Sequence, residues 1–142
     1  MTSEALPKFE TFVIEDEITC DDLIKTKLCG VKFVGFDCEW IRRKKISLFQ
    51  IATLDTVLLI RVRHMVITEC LERFLKDSSV IKFGVSISRD GDKMMTDFRM
   101  SLEGKVDLRK LLSHSKPYQD LFWKKIQEHE EELKRQKQFN PR

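Results

Sequence analysis

The stretch Val31–Trp40 constrains this chain more than any other. Val31, Phe33, Val34 and Phe36 read as a buried strand, and the run ends in two carboxylates, Asp37 and Glu39. Side chains alternate across a strand, so acids at i and i+2 point to one face. Like charges there repel, and enclosing them costs roughly several kcal/mol unless a cation or a donor compensates. Hard divalent cations such as Mg²⁺ and Mn²⁺ prefer oxygen ligands of this kind.

The chain has 142 residues, enough for one domain with one core. With 42% hydrophobic and 35% charged residues, a soluble globular fold is expected rather than disorder. A net charge of +3 does not by itself announce a polyanionic partner. The distribution is more telling. Acids dominate up to Glu39, whereas Arg42, Arg43, Lys44, Lys45, Arg61 and Arg63 face only Asp55 in the next stretch. Cys20, Cys29, Cys38 and Cys70 form no CxxC pair, and His64, His114 and His129 are not at zinc-ligand spacing from them. Reduced, buried thiols are expected, in an intracellular protein of the nucleus or cytoplasm. No apolar run reaches the roughly 20 residues that span a bilayer, so no membrane partner is expected.

The element pattern has two parts. Phe9–Ile14 reads as a strand, followed by a helix to about Leu28 with Thr19 as N-cap and Gly30 just past its end. Val31–Trp40, Ile46–Leu54 and Thr56–Val62 are strands joined by short links, which predicts an antiparallel meander. Thr68–Lys76 then has helical period. A strand at Val80–Val85 follows, then a helix from Asp90 to Phe98 with Met94, Met95 and Phe98 inward, a strand at Val106–Leu108, and a helix from Arg109 to about Ser113. Strand–helix alternation implies parallel pairing through crossovers. The expectation is an α/β mixed sheet, three antiparallel strands then parallel additions, with helices on its faces. Asp90 falls in the first turn of its helix, where the macrodipole favours an acid, and two strand ends of one sheet can bring it to Asp37 and Glu39.

Val34-Gly35-Phe36-Asp37-Cys38-Glu39-Trp40 resembles motif I of the DEDD (DnaQ-like) superfamily of 3′–5′ exonucleases, in the ribonuclease D and Werner-type branch. Ile46–Ala52 is similar to that branch's second strand, and the run from Lys82 to Phe98 resembles motif II with Asp90 in the catalytic slot. Val106–Arg109 resembles the strand and helix start that follow. The resemblance spans about residues 10 to 113. It implies a ribonuclease H-like fold and two-metal hydrolysis of nucleic acid from 3′ ends with Mg²⁺ or Mn²⁺, in which Asp37, Glu39 and Asp90 are catalytic and bind the metals.

The family's third motif, a Tyr or His four or five residues before a fourth Asp, has no counterpart around His114, Tyr118 or His129. The reading is therefore an exonuclease-like domain over 1–113, incomplete at its C-terminal end, and a charged helical tail over 114–142. An apolar stripe of Phe122, Ile126, His129 and Leu133, with Glu130–Lys134 and Glu131–Arg135 pairs, gives that helix one face for the domain or for a protein partner. A catalytically inactive module that binds nucleic acid or a protein is the second reading of the whole. Arg42, Arg43, Lys44 and Lys45, directly after the acidic strand, are placed to contact phosphates, the alternative being a solvated turn. Trp40 and Phe49 could stack on bases, but both read as core residues.

Overall fold

A computed structural model describes residues 8–112 and, beyond them, 120, 124, 127, 128, 131, 132, 134 and 135. Two compact units divide the chain, Met1–Asp107 and Leu108–Arg142. The first holds β1 (Glu10–Ile14), α1 (Glu17–Lys27), β2 (Phe33–Glu39), β3 (Leu48–Ala52), β4 (Thr56–Ile60), α2 (Glu69–Lys76), β5 (Ile81–Gly84), α3 (Ile87–Phe98) and β6 (Lys105–Asp107). The strands form one six-stranded mixed sheet in the order β1-β4-β3-β2-β5-β6. As the short links predict, β2–β3 and β3–β4 pair antiparallel. As the crossovers predict, β2–β5 and β5–β6 pair parallel. β1 adds to the far edge, parallel to β4.

Several local expectations need correction. α1 starts at Glu17 because Asp16, not Thr19, is its N-cap, accepting a 2.8 Å hydrogen bond from the Thr19 amide. Its C-cap is Leu28, and the left-handed turn at Gly30 (φ 73°) comes one residue later than a C′ glycine would sit. α3 starts at Ile87, three residues earlier than its sequence pattern suggests. Met95 is exposed rather than inward, whereas Met94 is fully buried. Cys20 and Cys38 are buried, but Cys29 is exposed.

β2 alternates rather than burying its whole apolar run. Val34, Phe36 and Cys38 are buried, while Phe33 is 47% exposed. The buried set joins Cys20, Ile24, Leu71, Leu75, Ile87 and Met94 from α1, α2 and α3 in one core cluster, so these helices cover one face of the sheet. The rings of Phe36, Phe49 and Phe98 meet at 5.8 and 5.9 Å and lock β2, β3 and α3 together. The sequence expectation that Phe49 is core holds, since it is fully buried. On the opposite face a row Asp37–Gln50–Leu59–Val13 runs across four strands. None of these four side chains is buried, nor is Phe33, Phe83 or Leu48 on the same face.

The second unit opens with α4 (Leu108–Leu112). The described residues beyond it are helical and exposed, and Arg135 pairs with Glu132 at 2.8 Å. The stripe Phe122, Ile126, His129 and Leu133, the Glu130 pair and the third-motif positions His114 and Tyr118 lie outside the described residues. Among the described residues no helix is long and apolar enough to cross a membrane.

Candidate active site

The strand pleat sets the first part of the site. Asp37 and Glu39 stand at the C-terminal end of β2, on the face opposite α1, α2 and α3, and both are exposed. The second part comes from the β5–α3 connection. β5 ends at Gly84, where a Cβ would lie 2.8 Å from the Phe36 carbonyl oxygen and 3.2 Å from Ile87. Only glycine lets the two backbones approach so closely beside Asp37. Ser86 then adopts a left-handed conformation (φ 55°) as N-cap of α3 without a capping hydrogen bond. A non-glycine residue there stores strain of order 1 kcal/mol, roughly, and such strain concentrates at functional sites.

The first turn of α3 carries Asp90 back to β2, where it is only 5% exposed. Asp37, Glu39 and Asp90 line one cleft of about 400 Å³, with Trp40, Ser86 and Arg89. Burial, and next the charge of Asp37, push the Asp90 carboxyl up to about 7, against the lowering effect of the Cys38 amide that donates to it. Asp90 Oδ2 is buried with no donor. Asp37 lies within hydrogen-bonding reach of it, yet two ionised carboxylates cannot bond without a shared proton or a cation. Glu39 Oε1 accepts a long 3.5 Å bond from Gln50 Nε2 on β3. Among the described residues no three of His, Cys, Asp and Glu form a ready-made metal cage. The Cys38 thiol, buried and then raised further by Asp90 and Asp37, is held protonated and is no nucleophile.

Positive charge frames the acids. Arg89 and Lys93 lie over the Trp40 ring at 5.3 and 5.8 Å, so Trp40 is both a core neighbour and a wall of the cleft. Lys93 pairs with Asp97 at 3.1 Å, and Asp97 accepts a 2.8 Å bond from the Ile46 amide. That bond pins the turn carrying Arg42, Arg43, Lys44 and Lys45, all four of them exposed. Asp97 was missed by sequence reasoning, although its position seven residues after Asp90 places both on one face of a helix. Arg61 and Arg63, though part of the basic stretch after Glu39, and His64 carried no site role in the sequence reading. They follow β4 at the same end of the sheet, and with Ser47, Leu48 and Leu59 they line a cavity of about 520 Å³. That cavity is larger than the acidic cleft, but no carboxylate lines it.

A sequence profile of the family described as "3'-5' exonuclease" matches residues 11–119. The chain is 37% identical over 84 residues to exonuclease 3'-5' domain-containing protein 2 of Drosophila melanogaster, covering 55% of this chain and 14% of that protein. It is 26% identical over 121 residues to the Homo sapiens protein of that name, covering 76% of this chain and 20% of that protein. The chain thus spans a fifth or less of either relative. In three dimensions it is similar to the crystal structure of the EXD2 exonuclease domain soaked in Mn and dGMP. There the TM-score is 0.67 at 26% identity, covering 72% of this chain and 57% of that one.

Proposed function

Because this chain belongs to the 3′–5′ exonuclease family, we propose that its acidic cleft hydrolyses phosphodiesters at the 3′ ends of nucleic acid with Mg²⁺ or Mn²⁺. The observation that carries the reading is the buried, donorless Oδ2 of Asp90 beside Asp37. Such a pair is poorly solvated when ionised and gains most from a cation. The donor set is all carboxylate oxygen, which suits hard ions, and Mg²⁺ sites commonly use only one or two carboxylates with water and substrate phosphate completing the shell.

Asp37 and Asp90 would hold the ion. Glu39, on the same cleft, would serve the second ion of a two-metal site. A bound ion supplies polarisation of the phosphodiester and a more acidic water. The protein supplies the rest. Arg89 presents a guanidinium to the cleft where phosphate charge builds up, and stacking on Trp40 limits its freedom. Gln50 steadies Glu39. The burial of Asp90 favours exchange of a proton for a metal near neutral pH. Related EXD2 domain crystals were soaked with dGMP and with GMP, so the proposal extends to DNA and RNA ends alike.

The test is a 5′-labelled oligonucleotide incubated with the protein and Mn²⁺, alongside calorimetric Mn²⁺ titration. A ladder shortening from the 3′ end, lost in Asp37→Ala, together with Mn²⁺ uptake that Asp90→Asn weakens, is the expected result. Binding of the oligonucleotide with no shortening would overturn hydrolysis.

A further inference from the structure

We propose that the basic rim beside the carboxylates is a second binding site, a phosphate track that takes the 5′-ward single strand of the nucleic acid whose 3′ end is hydrolysed. The proposal rests on the nuclease reading of the acidic cleft. It is built from two adjoining cavities. One, of about 520 Å³, has Ser47, Leu48 and Leu59 beside Arg61, Arg63 and His64. The other, of about 410 Å³, has Lys44, Lys45, Val62 and Phe98 around the same Arg63. Arg63 therefore joins the basic turn after β2 to the residues that follow β4, which are distant in sequence.

The register locates this rim. Glu39 is the cross-strand neighbour of Leu48, and Phe49 pairs with Ile60, so Arg61 follows one step further across the sheet. Two strand spacings, about 10 Å, separate the level of Glu39 from that of Arg61. At about 3.4 Å per stacked nucleotide this is the reach of about three residues of a single strand. Leu48 and Leu59 give the first cavity an apolar floor against which base faces can rest.

The charges are available. Lys44, Lys45 and Arg63 make no side-chain hydrogen bond or ion pair among the described residues. Arg61 is different, since it is paired with Glu15 and holds β1 to the rim. A cluster of unpaired cations next to a cleft for phosphodiesters raises the local concentration of polyanion and guides its backbone. An isolated solvated turn would not place Arg63, 18 residues from Lys45, around the same cavity.

The experiment measures fluorescence anisotropy of 5′-fluorescein oligothymidylates of two to eight nucleotides on the full chain. No divalent metal is present, so cleavage cannot interfere. The parent protein is expected to bind more tightly with length up to about five nucleotides. Lys44→Ala/Arg63→Ala is expected to abolish that gain, weakening the octamer about tenfold, leaving the dinucleotide unchanged and lowering the log–log salt slope by about 1.4. The control Lys25→Ala/Lys76→Ala, equal in charge but on α1 and α2, is expected to behave as the parent. The proposal is overturned if the double variant binds the octamer as the parent does, or if the control loses as much. It is also overturned if polyglutamate of equal charge binds as tightly and responds to the same substitutions. Failure of the hydrolysis reading shows separately, as an octamer bound with length dependence yet never shortened with Mn²⁺.

Discussion

Replacing Asp90 with Asn tests the electrostatics of the site without removing its shape. The carboxyl is raised from 3.8 to about 7 in the folded protein, chiefly by burial and then by Asp37. Between these values the folded state holds a proton that the unfolded state has released. Stability of the metal-free parent therefore falls as pH rises from about 4 to about 7 and is level above that. Three units at about 1.36 kcal/mol each set a ceiling of about 4 kcal/mol, and water entering the open cleft brings the expected loss to about 2 kcal/mol. Asp90→Asn keeps an acceptor for the Cys38 amide but never ionises. Its stability curve is expected to lack that fall, so at pH 7 it exceeds the parent by about 2 kcal/mol while losing Mn²⁺ uptake. Urea unfolding with chelator, followed by tryptophan fluorescence from pH 4.5 to 8, reads the difference. Other titrating groups cancel between the two proteins. Asp37→Asn removes the charge and the carboxyl hydrogen bond of Asp37 but leaves the larger effect of burial, so its slope is expected to shrink without vanishing. A parent-minus-variant difference that stays constant across this range would refute the reasoning, because Asp90 would then be no more strained folded than unfolded.

Three further outcomes follow from the geometry. Gly84→Ala forces a methyl to 2.8 Å from the Phe36 carbonyl, which is expected to cost about 1 to 3 kcal/mol in urea unfolding and to weaken Mn²⁺ uptake as α3 shifts from β2. Asp97→Ala leaves the Ile46 amide and Lys93 without their partner. A loss of about 1.5 to 3 kcal/mol is expected, with faster amide exchange at Ile46 and unchanged exchange in β1. Lys82 is fully buried, donates to the Asp77 carbonyl at 2.6 Å and is lowered from 10.5 to about 8, chiefly by burial. The unfolded state binds the extra proton between those values, so parent stability should rise with pH from about 8 to 10.5. Lys82→Met should remove the rise and be more stable at pH 7 by about 1 to 3 kcal/mol, as read by urea unfolding at both pH values.

Elements with strong local signals were legible. The meander was readable because its links are too short for any crossover, and α2 because Thr68 caps a clean helical stripe, accepting from the Leu71 amide. Boundaries shifted where a neighbouring element set them. Asp16 outdid Thr19 as a cap because β1 ends at Ile14, leaving the helix no reason to wait. Phe33 looked buried because its neighbours are apolar, but only one face of β2 is covered by α1, α2 and α3. Lys82 gave no signal, since a lysine inside a strand reads as solvent-facing until the sheet shows which face it occupies.

By itself, the sequence determined that Asp37 and Glu39 share a face, since a two-residue period depends on backbone geometry alone. It also determined the order of strands and helices, which follows from local spacing. Only the tertiary structure decided that Asp90 meets Asp37, that Arg63 reaches the cavity of Lys44 and Lys45, and that α1, α2 and α3 cover the same face of the sheet. Those outcomes depend on register and on the close approach at Gly84, set by packing between segments far apart in the chain, and periodicity within a segment carries no record of such distances.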